Sequence, residues 1–76
     1  MSYQYMSVSE TYDDGRKSYG ISVRFHYDDG STAVLQTISD ICDDPDRIRE
    51  LVRLCNEARL SPPHLPEIIE DFLAVL

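Results

Sequence analysis

A chain of 76 residues with a net charge of −7 has room for one small hydrophobic core and carries an acidic surface. That charge disfavours binding to nucleic-acid phosphates and to anionic membranes, and no apolar run approaches the roughly 20 residues that span a bilayer. The apolar fraction of 42% is ordinary for a globular protein, so we expect a single small domain over residues 1–76.

The first half of the chain predicts three strands within about residues 3–38. Apolar and polar residues alternate from Tyr19 to Tyr27, which is the period of two expected when one face of a sheet is buried. The turn signals 13–15 and 28–30 both read Asp-Asp-Gly, and glycine favours the positive φ that tight turns need. Two short connections between three strands predict an antiparallel meander.

The period then changes to that of helices, within about residues 44–59 and 63–75. Asp43 or Asp44 is placed to cap the first helix, and Pro45 suits its first turn. Ser61 is a plausible cap for the second helix. The apolar positions of the two helices fall at helical spacing. They are Ile48, Leu51, Val52 and Cys55 in the first, and Leu65, Ile68, Ile69, Phe72, Leu73 and Leu76 in the second.

The expected fold class is α+β, with the order β-β-β-α-α. A three-stranded antiparallel meander precedes two antiparallel helices, which pack on one face of the sheet. The residues expected on that face are Tyr19, Ile21, Val23, Phe25 and Tyr27. Three strands alone would be marginal, so the fold requires the helices.

Several short segments resemble a family of short uncharacterised proteins from anaerobic Gram-positive bacteria, classed as a domain of unknown function. The similar segments are Tyr19-Gly20-Ile21, Leu54-Cys55-Asn56, Leu60-Ser61-Pro62 with His64-Leu65, and Ile69 to Leu73. The resemblance implies a bacterial cytoplasmic protein and supplies no activity. The absence of a basic start followed by an apolar stretch also favours the cytoplasm.

The histidine and cysteine residues, which are the candidates for chemistry, indicate no catalytic site, no cofactor and no metal site. His64 could meet Glu67 one helical turn away, but the H-E-x-x-H spacing of zinc proteases is absent. Cys55 lies on an apolar helix stripe, where free cysteines are usually core residues. Cys42 is surrounded by aspartates, whose negative charge disfavours a reactive thiolate.

Two groups of residues suggest a surface for protein contact. Tyr3 and Tyr5 lie on a strand predicted at the edge of the sheet, where unpaired backbone groups could accept another chain. Arg49 and Arg53 belong to a basic cluster on the first helix, which could face an acidic partner. Ion pairs between this cluster and the acidic second helix would explain the same pattern without any function.

The sequence therefore predicts a non-enzymatic cytoplasmic protein-interaction module, whose partner is another protein or a second copy in a homodimer. Two alternatives remain open. One is an acidic inhibitor that mimics nucleic acid to block a DNA-binding protein. The other is a small enzyme or metal protein centred on His64 and Cys55.

Overall fold

A computed structural model of the protein describes residues 2–74. Three strands are followed by two helices, which confirms the predicted α+β arrangement. The elements are β1 (Ser2–Thr11), β2 (Lys17–His26), β3 (Thr32–Cys42), α1 (Pro45–Glu57), a short 3-10 turn (Pro62–His64) and α2 (Leu65–Ala74). The strands form one sheet in the order β1-β2-β3, and both neighbouring pairs are antiparallel.

The two Asp-Asp-Gly segments form the hairpin turns, as predicted. Gly15 adopts a φ of 86° and Gly30 a φ of 88°, the left-handed region that glycine enters without steric cost. In the first turn the Tyr12 amide donates to the Arg16 carbonyl over 2.8 Å, and the Gly15 amide donates back to Tyr12 over 2.9 Å. The second turn repeats both bonds, so each turn fixes the register of its hairpin.

Strand β3 ends at Cys42, four residues beyond the predicted limit of 38, because an irregularity interrupts its alternation. Tyr19 pairs with Cys42, whereas Ile21 pairs with Ile38, so β3 contains two extra residues opposite Gly20. Asp40 has a φ of 57° within this bulge. A Cβ atom on Gly20 would collide with the carbonyl oxygen of Ile38 and lie 2.8 Å from the Cα of Ser39. The bulge therefore requires a glycine in the neighbouring strand.

The core lies between one face of the sheet and the two helices. Its members come from β1, β2, α1 and α2, and are Tyr5, Ile21, Val23, Ile48, Leu51, Cys55, Leu65 and Ile69. The predicted sheet face is correct at Ile21 and Val23, which are fully buried. Tyr27 follows the last residue of β2 and is 46% exposed, so the expectation that the helices cover it is wrong.

The helix ends are defined by local hydrogen bonds. Asp44 caps α1 by accepting the amides of Asp46 and Arg47, with Pro45 in the first turn. At the other end Arg59 has a φ of 49°, and the Leu60 amide donates to the Cys55 carbonyl over 3.1 Å. The predicted cap Ser61 stands at the start of the 3-10 turn but makes no side-chain capping bond, because Pro62 and Pro63 have no amide hydrogen to donate. Leu76, the last residue of the predicted stripe, lies outside the described residues.

Candidate functional site: the two edges of the sheet

The outer edge of β1 is covered at its centre by helix α1. The Tyr5 amide donates to Oδ1 of Asn56 over 2.8 Å, and Nδ2 of Asn56 donates to the Tyr5 carbonyl over 3.0 Å. These are the two bonds that a neighbouring strand would make at Tyr5. Because a side chain already makes both of them, an incoming strand cannot pair along the whole of this edge.

The Tyr5 side chain belongs to the core, so its predicted place on a contact surface is incorrect. It is 2% exposed, and its hydroxyl donates to the Leu60 carbonyl over 2.7 Å. Burial, with smaller contributions from Cys55 and Tyr3, raises the pKa of Tyr5 to about 12. The residue faces the helices because its alternation places it directly opposite buried Val23.

Tyr3 is exposed and belongs to a row of aromatic rings beyond the helices. Its ring contacts Phe25 edge-on with centroids 5.3 Å apart, and Phe25 contacts Tyr27 in the same way at 4.8 Å. Tyr3 and Tyr27 are each 46% exposed. The proposed role of Tyr3 in partner contact stays a prediction.

The outer edge of β3 is open. Tyr27 donates to Ser31 across the turn, and Gln36 and Ile38 pair with Val23 and Ile21. By the alternation of an antiparallel ladder, the backbone groups of Thr32 and Thr37 then point away from β2. Within residues 2–74, none of the hydrogen bonds reaches these outward groups. The edge thus presents unpaired donors and acceptors to solvent.

Two apolar side chains mark the middle of this open edge. Val34 is 57% exposed and Leu35 is 49% exposed. They lie at a second irregularity, because Val23 pairs with Gln36 while the next residue, Arg24, pairs with Val34. Leu35 is therefore an extra residue that bulges from the strand. An incoming strand would have to fit this bulge, which restricts the segments that can pair here.

The two arginines predicted as contact residues are exposed and engaged in ion pairs within α1. Arg53 pairs with Glu50 and, at 2.9 Å, with Glu57; Arg49 lies 3.5 Å from Asp46. Hydrogen bonds to Glu50 and Glu57 hold the pKa of Arg53 above its usual range, and the hydrogen bond from the Arg53 guanidinium holds the pKa of Glu50 below its usual range.

The prediction that these arginines form ion pairs with the second helix is therefore wrong for the described residues. Acidic residues three or four positions away in the same helix are closer partners. A contact role for Arg49 and Arg53 stays a prediction. A partner would have to compete with acidic residues of the same helix.

The structure does not bring the candidate chemical residues into one site. His64 is exposed, with Nδ1 3.9 Å from Oε2 of Glu67. Cys55 is buried, and burial raises the pKa of its thiol, which disfavours the reactive thiolate. Within residues 2–74, no three histidine, cysteine, aspartate or glutamate side chains are placed to hold a metal ion.

Sequence reasoning missed both Asn56 and the exposed pair Val34 and Leu35. Asn56 follows buried Cys55 near the end of α1, and its amide supplies one donor and one acceptor side by side, as a strand backbone does. The signal at β3 was a run from Thr32 to Ser39 without charge or proline, the residues that usually protect an edge.

Comparison with protein-family models matches residues 1–75 to one described as Family of unknown function (DUF6514). The chain matches no curated protein and no solved structure. In the described part of the chain, neither helix has the length and apolar character needed to cross a membrane.

Proposed function

Because the chain belongs to this family of unknown function (DUF6514), which supplies no activity, we propose from its geometry that it is a protein-interaction module. The module binds an extended segment of another protein by adding it as a fourth strand beside β3. The observation that carries this proposal is the contrast between the two sheet edges. Asn56 occupies the β1 edge, whereas the edge of β3 is unpaired and apolar at Val34 and Leu35.

Strand addition suits the chemistry of this edge. The outward backbone groups of Thr32 and Thr37 supply main-chain hydrogen bonds, which give affinity without a particular side chain. Burial of Val34 and Leu35 by the added strand supplies the hydrophobic contribution. Ala33, which pairs with Phe25, has only a methyl side chain beside the aromatic row.

The proposal includes a non-enzymatic role in a bacterial cytoplasm. Cys42 and Cys55 are both free thiols, as is usual in a reducing compartment. The buried position of Cys55 and the exposed position of His64 support binding in preference to catalysis.

The test is amide hydrogen exchange, followed by NMR, in the presence of a panel of strand-forming peptides. We expect a bound peptide to protect the amides of Thr32 and Thr37 and to leave those on the outer edge of β1 unchanged. Protection confined to β1 or to the helices would contradict the proposal, as would a panel in which no peptide binds.

Two matched pairs of variants sharpen this test. Thr37→Pro removes an outward donor from β3, and Ser7→Pro removes one from β1, since Ser7 lies two residues from Tyr5 and faces the same way. We expect only the first to abolish peptide binding. Leu35→Ser and Leu54→Ser provide a second pair, because the two leucines are 49% and 47% exposed. Only Leu35→Ser should weaken binding.

A further inference from the structure

The open edge of β3 is uncharged along its middle and acidic at both ends. The run from Thr32 to Ser39 contains no charged residue. Asp28 and Asp29 lie in the turn that precedes it, and Asp40 and Asp43 follow it. A strand added beside β3 would therefore pass an acidic turn at one end, an uncharged middle and an acidic segment at the other end.

The carboxylates at these two ends are held by local hydrogen bonds. Oδ1 of Asp29 accepts the Ser31 amide over 2.9 Å and the Ser31 hydroxyl over 2.6 Å, which lowers the pKa of Asp29. Oδ1 of Asp40 accepts the Ser18 hydroxyl over 2.5 Å. Asp29 is thus fixed in the turn, and Asp40 is held on the β2 side of β3, so the exposed Asp43 is the carboxylate available at the far end of the edge.

β3 and the segments that flank it contribute no cation to this edge, and Arg24, which pairs with Val34, lies on the middle strand. Arg16 and Lys17 share the surface around Asp40 and Asp43, but they belong to the first turn and to β2, the middle strand of the sheet. Arg16 is paired with Asp14 over 2.6 Å. The charges that β3 and its two flanking segments bring to the edge are therefore all negative.

This charge distribution disfavours a second copy of the chain as the occupant. Antiparallel pairing of β3 with β3 of another copy would place the 28–29 end of one beside the 40–43 end of the other, and parallel pairing would place like ends together. Either arrangement brings carboxylates against carboxylates, and each copy carries a net charge of −7.

Building on the proposed function, we propose that the partner of β3 is an extended segment of a different protein, uncharged in its centre and carrying lysine or arginine at both ends. The basic ends meet Asp29 at one side and Asp43 at the other. Main-chain pairing holds the segment, and the paired charges select it over acidic strands.

The test uses three labelled peptides with the same core of alternating threonine and valine. One carries a pair of lysines at each end, one a pair of serines and one a pair of glutamates. Fluorescence anisotropy at low and high salt measures their affinities. We expect the lysine peptide to bind about tenfold tighter than the serine peptide at low salt, and the glutamate peptide to bind more weakly than both. High salt should reduce these differences.

A pair of double variants tests the position of the charges. Asp29→Asn with Asp43→Asn should remove most of the preference for lysine ends. Glu70→Gln with Asp71→Asn makes the same change in net charge on α2 and should keep the preference.

The outcomes separate the two proposals. Equal binding of all three peptides would overturn the basic-ended partner and leave strand addition in place. Failure of every peptide to bind would overturn strand addition and with it the partner inference. A dimer mass without peptide in analytical ultracentrifugation, lost in Thr37→Pro, would show that a second copy is the occupant and would also overturn the inference.

Discussion

The side-chain amide of Asn56 makes with Tyr5 the two hydrogen bonds that a neighbouring strand would make. One residue of a helix thus performs two tasks: it anchors α1 to the sheet and it closes one sheet edge. The phenol of Tyr5 adds a third bond to the Leu60 carbonyl, so this tyrosine also fixes the connection between the helices. The arrangement leaves β3 as the edge with unpaired backbone groups.

Loss of the Asn56 amide should both destabilise the fold and open the β1 edge. We expect Asn56→Ala to lower the free energy of unfolding by about 1–3 kcal/mol, since two bonds to buried or half-buried groups are lost. Denaturant titration gives the stability, and light scattering gives the tendency to associate. Asn56→Asp keeps the size and one acceptor but loses the donor, so it should be destabilising as well. An unchanged midpoint for both variants would contradict the role assigned to this side chain.

The raised pKa of Tyr5 predicts a loss of stability in alkali. The pKa is about 12 in the folded protein against 10.0 for an ordinary tyrosine. The stabilising effect is complete below pH 10 and is lost as the pH rises through 12, because the unfolded tyrosine ionises first. The loss should reach about 3 kcal/mol.

Tyr5→Phe cannot ionise and isolates this effect from that of Cys55 and the other tyrosines. We expect it to cost about 1 kcal/mol at neutral pH, through the lost bond to Leu60, and to flatten the alkaline part of the stability curve. Parallel pH profiles for the two proteins would show that Tyr5 does not cause the alkaline loss.

Gly20 should tolerate no side chain. Gly20→Ala places its Cβ against the backbone of Ile38 and Ser39, so we expect a loss of about 3 kcal/mol and a rearranged bulge. Gly15→Ala is a useful comparison, because its φ is positive but nothing lies within 4 Å of the added atom. That change should cost only about 1 kcal/mol. Thermal unfolding of both variants, with NMR of β3, distinguishes a steric collision from backbone strain. Equal losses of stability in the two variants would contradict the collision at Gly20.

The two thiols should differ in their rate of alkylation. Cys55 is buried and its pKa is raised, whereas Cys42 is half-buried beside the start of α1. We expect iodoacetamide to modify Cys42 in the folded protein and Cys55 only as the chain unfolds. In the Cys42→Ser variant the remaining thiol should react at a rate that rises with denaturant. If Cys55 in the folded protein reacted as fast as a thiol in the unfolded chain, the result would favour the alternative of an enzyme centred on His64 and Cys55.

The sequence predicted the parts of the fold that depend on local pattern. Alternation around Ile21 and Val23 identified the central strand, and Asp44 with Pro45 marked the start of α1. The contact between Asn56 and Tyr5 joins residues 51 positions apart, so no local pattern reveals it. Likewise, the sequence alone showed that some strand would be an edge; which edge is covered depends on where α1 packs.

The contact of Asn56 with the β1 edge also limits how many strands can be added to one molecule. A sheet with two free edges can add strands on both sides and grow into open-ended fibres, whereas in this sheet Asn56 interrupts the outer edge of β1 at Tyr5. Two copies that met along β3 would each keep this interruption on the outer edge. Any assembly built through β3 therefore stops at a defined stoichiometry.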